Sequence, residues 1–242
     1  MNPVLTSTLQ AIQAGTASLE RVAVNVANAQ MPGFRREVAA AGFDRTLSAA
    51  SESADSHRFV HIDQRTGTLR PTGRDLDVAL VGDGWFEVRM PDGVGHTRRG
   101  AFRVDGEGRL VTEQGLPVLG TGGEIHVSQS KVVIDAEGKV FDGASAPGAA
   151  AVPVGQLKVV RFEPGAPAQR LPNGLLRFRA EPLALDVPAQ MRQGSLENAN
   201  VSQAAEMLQL MQVVRHVETM QKVATAYDEM VGTAVRRLGD LS

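Results

Sequence analysis

The sequence predicts an α+β fold: long N- and C-terminal helices packing as a coiled-coil or bundle core, with a central all-β domain of short antiparallel strands. Three observations carry this expectation. Apolar residues recur at helical spacing near both ends of the chain. The middle, from about Val60 to Val187, is cut into short runs by Gly, Pro and Asp-Gly pairs. The single Trp85 and nearly all the Phe lie between the terminal helices, and aromatics bury the most area per residue, so the β region has the better claim to its own core.

The first helix is read from Leu5, Leu9, Ile12, Thr16, Leu19, Ala23 and Val26, which follow one another at alternating steps of four and three. Such a spacing averages 3.5 residues, the coiled-coil signal. Pro32-Gly33 is a breaker pair that ends this segment and turns the chain. Residues 35–75 read as a connector, partly ordered, with a weak apolar pattern at Val38, Phe43 and Leu47.

The β domain is expected over 76–194. Asp77–Val81 is a short apolar strand, Gly82-Asp83-Gly84 turns, and Trp85–Met90 follows with Phe86, Val88 and Met90 on one face. Pro91-Asp92-Gly93 turns into a returning strand over Thr97–Val104, and Asp105-Gly106-Glu107-Gly108 leads to Arg109–Val111. Lys131–Phe141 repeats that unit around Asp135–Gly138, two later strands are expected at Gln156–Phe162 and Leu175–Ala180, and Gly143–Pro153 is a loop.

The second helix carries the longer seam: Leu210, Val213, Val217, Met220, Ala224, Tyr227, Val231, Ala234 and Leu238, with no charge on it. Val201, Ala204, Leu208 and Met211 form a second apolar stripe, and a helix with two apolar faces needs more than one partner. Residues 1–34 and 195–242 are therefore expected to form the terminal helical core. Periodicity by itself leaves open whether these are assembling helices or two core helices of a globular domain.

Composition removes several functions. Twenty-five basic residues against 27 acidic ones give a net charge of -2, with no electrostatic footprint for nucleic acid or an anionic membrane. No apolar run is long enough for membrane insertion, and no basic region followed by an apolar core and cleavage site marks a cleavable signal peptide. Cysteine is absent, which excludes disulfides, thiolate metal sites and cysteine nucleophiles.

No catalytic, cofactor or metal residue is expected. Gly82-Asp83-Gly84 and Gly106-Glu107-Gly108 lack the third glycine of a dinucleotide loop and the Lys of a phosphate loop, so both read as hairpin turns. His57 and His61 straddle what looks like a strand start rather than one helical face. Asp75 and Asp77 have no His, Ser or basic partner nearby and read as a solvated strand start.

Val24-Asn25-Val26-Ala27-Asn28-Ala29-Gln30-Met31-Pro32-Gly33-Phe34-Arg35 resembles the N-terminal signature of the bacterial flagellar rod and hook proteins, Asn-Asn-x-Ala-Asn-x-x-Thr-x-Gly-Phe-Lys. Asn25, Ala27, Asn28, Gly33 and Phe34 match it; Val24 replaces an Asn and Met31 a Thr. Thr72–Phe86, Thr97–Phe102 with Asp105–Val111, and Leu196-Glu197-Asn198-Ala199-Asn200-Val201 are similar to later segments of the same family, in the same order.

The resemblance implies a structural subunit and no enzyme. Its terminal helices would form the inner core of an axial tube of self-copies and other rod and hook subunits. The subunit would leave the cytoplasm unfolded through the flagellar type III export machinery and polymerise in the basal body, across the periplasm. Length and the segment Pro153–Lys158 point to the proximal rod, with a distal-rod or hook-type protein as the alternative. By the same resemblance, Asn25, Ala27, Asn28, Pro32, Gly33 and Phe34 are assembly residues, with the stripes Leu5, Leu9, Ile12, Leu19, Val26 and Leu210, Val213, Val217, Met220, Tyr227, Val231, Leu238. Gly33 would permit a backbone turn closed to other residues, and Phe34 would anchor either between subunits or within its own. A secreted β-domain enzyme or carbohydrate binder is the reading from another class; it would need a cleft of convergent carboxylates or aromatics.

Overall fold

A computed structural model describes residues 3–39, 59–128, 131–143, 152–171, 173–183 and 189–239, with the side chains of 3–5, 59, 234, 235 and 237–239 excepted. The expectations for Leu5, Leu238, His57 and the connector over 40–58 lie outside these residues. The chain forms two compact units: one holds the two helices, the other holds 28–39 and 59–201 of the described residues.

In the helical unit, α1 spans Pro3–Ala27 (25 residues) and α2 spans Gln203–Gly239 (37 residues). Gly15 lies against Val217 and Asn25 against Glu206, so the helices run antiparallel. The line that α1 buries is Thr8, Gly15, Val22 and Asn25; Ile12, Leu19 and Val26 are half-buried beside it, and Leu9 is 57% exposed. Thr8, Gly15 and Val22 are seven apart, one residue out of phase with Leu9, Thr16 and Ala23. The small side chains at this line allow a close approach, and the aliphatic stripe is left only partly covered by α2. On α2, Leu210, Val213, Val217, Met220 and Tyr227 are half-buried, and Val231 is exposed.

A β-carbon on Gly15 would stand 2.4 Å from Val217 Cγ2. Val217 is β-branched and holds one rotamer in a helix. Gly15→Leu is therefore expected to part the helices, because overpacking of this kind costs about 1–3 kcal/mol. Gly232 has nothing within 4 Å of the same position, and Gly232→Ala should gain about 1 kcal/mol from helix propensity alone. Thermal melts followed by far-ultraviolet circular dichroism should move in opposite directions for the two variants.

The other unit is built of short antiparallel strands. Its largest sheet has seven, in the order Glu37–Val38, Phe59–Ile62, Ala168–Arg170, Leu176–Phe178, Gly93–Thr97, Trp85–Met90 and Val159–Val160. Trp85 points into a cluster with Ile62, Phe162, Ala168 and Phe178. Its neighbour Phe86 points into the larger cluster of Val78, Leu80, Phe102, Leu110 and Ile125. The strand is thus buried on both faces for most of its length, with Glu87 buried and Arg89 exposed among its apolar residues.

Several expected boundaries are corrected. The strand returning from the Pro91–Gly93 turn is Gly93–Thr97, and Phe102–Val104 is a separate strand paired with Leu110–Thr112. Between them Gly100 packs against the Val78 carbonyl so closely that a β-carbon would clash with it. Gln156–Phe162 is likewise split, into Gly155–Gln156 and Val159–Val160. Residues 35–75 contribute the strands Glu37–Val38, Phe59–Ile62 and Leu69–Pro71. Ser195–Glu197, expected with the helices, is a strand paired with Leu69–Pro71, and α2 starts only at Gln203. Residues 28–34, also expected with the helices, group with the strands. Asp77 is buried rather than solvated.

The repeated hairpin shares its turn chemistry. Asp105 Oδ1 accepts the N–H groups of Glu107 and Arg109, and Asp135 Oδ1 those of Glu137 and Lys139. Gly108 and Gly138 both take φ 79°, the left-handed position that closes such a turn.

Candidate assembly site

The N-terminal motif is divided between the two units. Asn25 and Ala27 end α1, and Asn28–Phe34 enter the strand unit. Two successive turns carry the chain on: Met31 N–H donates to the Asn28 carbonyl at 2.9 Å, and Phe34 N–H to that of Met31 at 3.1 Å. Gly33 sits at φ 68°, and its N–H donates to the Glu197 carbonyl at 2.7 Å. A β-carbon there would lie 2.5 Å from both Arg98 C and Arg99 N.

The next residue, Phe34, is buried inside its own unit, with the Arg170 guanidinium 4.5 Å above its ring centroid. Arg170 is held in place by Glu37 and by the Arg35 carbonyl. Within this chain Phe34 therefore packs as a staple of its own unit. Pro32 is half-buried, and Ala27, the last residue of α1, is exposed.

Beneath these turns lies a buried ionic cluster. Glu197 Oε1 receives Arg35 Nη1 at 2.6 Å and the Gly67 N–H at 2.7 Å, while Oε2 receives Arg98 Nε at 2.9 Å. All three side chains are at most 2% exposed. Arg98 also donates to the carbonyls of Gly84 and Gly82, and Arg35 to that of Arg65. Burial, and then the charge of Arg98, push the Arg35 guanidinium down to about 10. Charges this deep are tolerable only when paired and hydrogen-bonded, which gives the cluster a single arrangement.

Asn198 and Asn200 complete the tie. Asn200 Oδ1 accepts the Arg36 N–H at 2.7 Å, its amide donates to the carbonyls of Asp63 and Arg65, and its own N–H reaches the Phe34 carbonyl at 3.3 Å. Asn198 pairs with Thr68 through backbone and side chain. The motif around Gly33 and the motif around Glu197, far apart in sequence, are thus one structural object in the strand unit. In the helical unit Asn25 Nδ2 donates to Glu206 Oε2 at 3.2 Å, a second buried polar link between the same two stretches of chain.

Sequence reasoning missed the roles of Arg35, Arg98, Glu197 and Glu206. Arg35, Arg98 and Glu197 stood inside the quoted motifs, where a charged residue among apolar and glycine neighbours was the available signal. Their mutual contact spans separations that one sequence does not encode locally.

His96 lies close by, its ring edge-on to Phe162 at 4.8 Å and to Phe178 at 5.7 Å, with Nδ1–H donating to the Leu176 carbonyl. Nε2 is 3.9 Å from Glu87, whose carboxylate is taken by Lys158 at 2.7 Å. Burial depresses the imidazole pKa below its ordinary 6.5, against weaker opposition from the Leu176 hydrogen bond and Glu87. Below pH 6.5 the unfolded chain takes up a proton that the folded chain resists. The His96 contribution to stability should therefore fall as pH drops through that value, flatten once the folded group also titrates, and stay level above it. Urea midpoints across that range, with His96 followed by NMR, check the sign.

Among the described residues no three His, Cys, Asp or Glu side chains converge as a metal site, and no helix is long and apolar enough to cross a membrane. The profile of the flagellar hook protein FlgE/F/G D1 domain matches residues 79–141, and that of the flagellar basal body rod FlgEFG protein C-terminal region matches 192–237. The flagellar basal-body rod protein FlgF of Salmonella typhimurium is 37% identical over 240 residues, covering 93% of this chain and 94% of that protein. FlgF of Escherichia coli is 36% identical over the same shares of both chains. The flagellar basal-body rod protein FlgG of Bacillus subtilis is 27% identical, over 88% of this chain and 90% of its own.

Proposed function

We propose that this chain, which belongs to the flagellar basal-body rod protein family, is a structural subunit of the proximal rod. The observation that carries the reading is the match to FlgF proteins along nearly the whole chain, helices included. The higher identity to FlgF than to FlgG favours the proximal over the distal position. A secreted β-domain enzyme has no such support, since the relatives are rod proteins.

The subunit is exported by the flagellar type III apparatus and polymerises with its own copies and with other rod and hook subunits into the shaft that transmits torque. The helices supply the polymerising surface. Leu9 on α1 and Leu208, Met211 and Val214 on α2 are exposed in one subunit, and neighbouring copies cover them in coiled-coil fashion. Head-to-tail contacts that do not close give an open tube. The strand unit, with its own core, is the part that fixes neighbour contacts outside that tube.

The test is an in-frame deletion in the source bacterium. Cells should lose swimming and halt at a basal body without a complete rod. The full chain should restore both, and a chain lacking residues 201–242 should restore neither. Swimming by the deletion strain would overturn the reading.

A further inference from the structure

We propose that a small cleft in the strand unit, between the Met31–Arg35 turn and the Asn173–Leu176 turn, is a binding socket for a carboxylate group.

The cleft is lined by Arg35, Arg98, Arg99, Arg170 and His96, and no carboxylate is among its described lining residues. The cations reach their acidic partners elsewhere: Arg35 and Arg98 share Glu197, Arg170 takes Glu37, and Arg99 takes the exposed Glu113 at 3.2 Å. Among the described residues four guanidiniums therefore meet three carboxylates, with Asp63 and Asp83 acting on Arg35 and Arg98 through their fields. The Arg35 side chain is 2% exposed, and its Nε finds no hydrogen-bond acceptor among the described residues. A buried donor of this kind is costly unless something accepts from it.

Size and shape select the occupant. The cavity holds about 30 Å³, room for two or three oxygen-sized groups at roughly 10–15 Å³ each. A carboxylate offers two oxygens in one plane, which suits guanidinium forks. Met31, Phe34 and Leu175 form an apolar wall on which the carbon stem of an acid can rest. The carboxylate comes either from a small free acid or from an Asp or Glu of a neighbouring subunit.

The experiment uses the full-length monomer labelled with 15N-arginine, titrated with sodium formate in place of sodium chloride at constant ionic strength. A saturable shift of the Arg35 Nε–H resonance, accompanied by the His96 ring and absent in chloride alone, is the expected result. Gln114→Glu places a carboxylate from an exposed position at the cleft and should abolish the formate response while leaving the fold intact. No saturable shift, or an equal response to chloride, overturns the proposal and leaves the cleft to water. Swimming of the Gln114→Glu strain then assigns the source: impaired swimming points to a neighbour's acidic side chain, and normal swimming to a free acid. The titration is read on the monomer and is independent of the rod assignment; only the swimming arm rests on it.

Discussion

Replacing Glu197 by glutamine is expected to cost about 3–5 kcal/mol, because it removes the one carboxylate between two buried guanidiniums. Shape is kept, but a neutral amide cannot accept from Arg35, Arg98 and the Gly67 N–H while its own NH₂ faces a donor. A loss of that size is a large fraction of a typical domain stability of about 5–15 kcal/mol. Trp85, the single tryptophan, is buried in the same unit and reports its unfolding in urea without a label. The midpoint should fall with the slope unchanged. Charge and shape are separated by Arg35→Met/Arg98→Leu/Glu197→Met, in which the whole ionic set is gone. That triple variant should recover much of the loss, as apolar replacement of buried ion groups commonly does. A Glu197→Gln midpoint within error of the parent would mean that the cluster is not a stabilising tie.

Gly33→Ala is expected to lose about 2–4 kcal/mol, the sum of a left-handed backbone penalty of about 1 kcal/mol and an overpacking cost of about 1–3 kcal/mol. The first part follows from φ 68°, the second from backbone atoms of Arg98 and Arg99 at 2.5 Å, which cannot rotate out of the way. Gly73 isolates the first part. It sits at φ 74° with nothing within 4 Å, so Gly73→Ala should lose only about 1 kcal/mol. Equal losses at the two positions would remove the close approach of the Gly33 turn to Arg98 from the explanation. Trp85 fluorescence in urea again gives the readout.

The sequence carried the fold class because its signals are local. Apolar spacing marked both helices, and Asp-Gly pairs marked the hairpins at Asp105 and Asp135, where a side-chain oxygen caps its own turn. Strands lacking a local signature were missed. Leu69–Pro71 and Ser195–Glu197 exist because they pair with each other across most of the chain, and neither alternates clearly enough to show alone. The same reason hid the site. Asn25, Gly33 and Phe34 could be named from a motif, but the partners that give them work, Glu206, Arg98 and Arg170, come from the other helix, a distant loop and a distant strand. The helical phase was off by one residue on α1 for a different cause. The close approach of α2 selects small residues, Thr8 and Gly15, for the buried line, and a search for large aliphatics passes over them.

The most direct measurement is a density map of the basal body at side-chain resolution, from cells in which this chain is the only copy of its gene. The expected result places it in the proximal rod, with α1 and α2 in the inner wall, Leu9, Leu208 and Met211 covered by neighbouring copies, and the strand unit outside them. A rod complete without this chain, or one in which those three residues face solvent, would contradict the assembly role assigned to the helices.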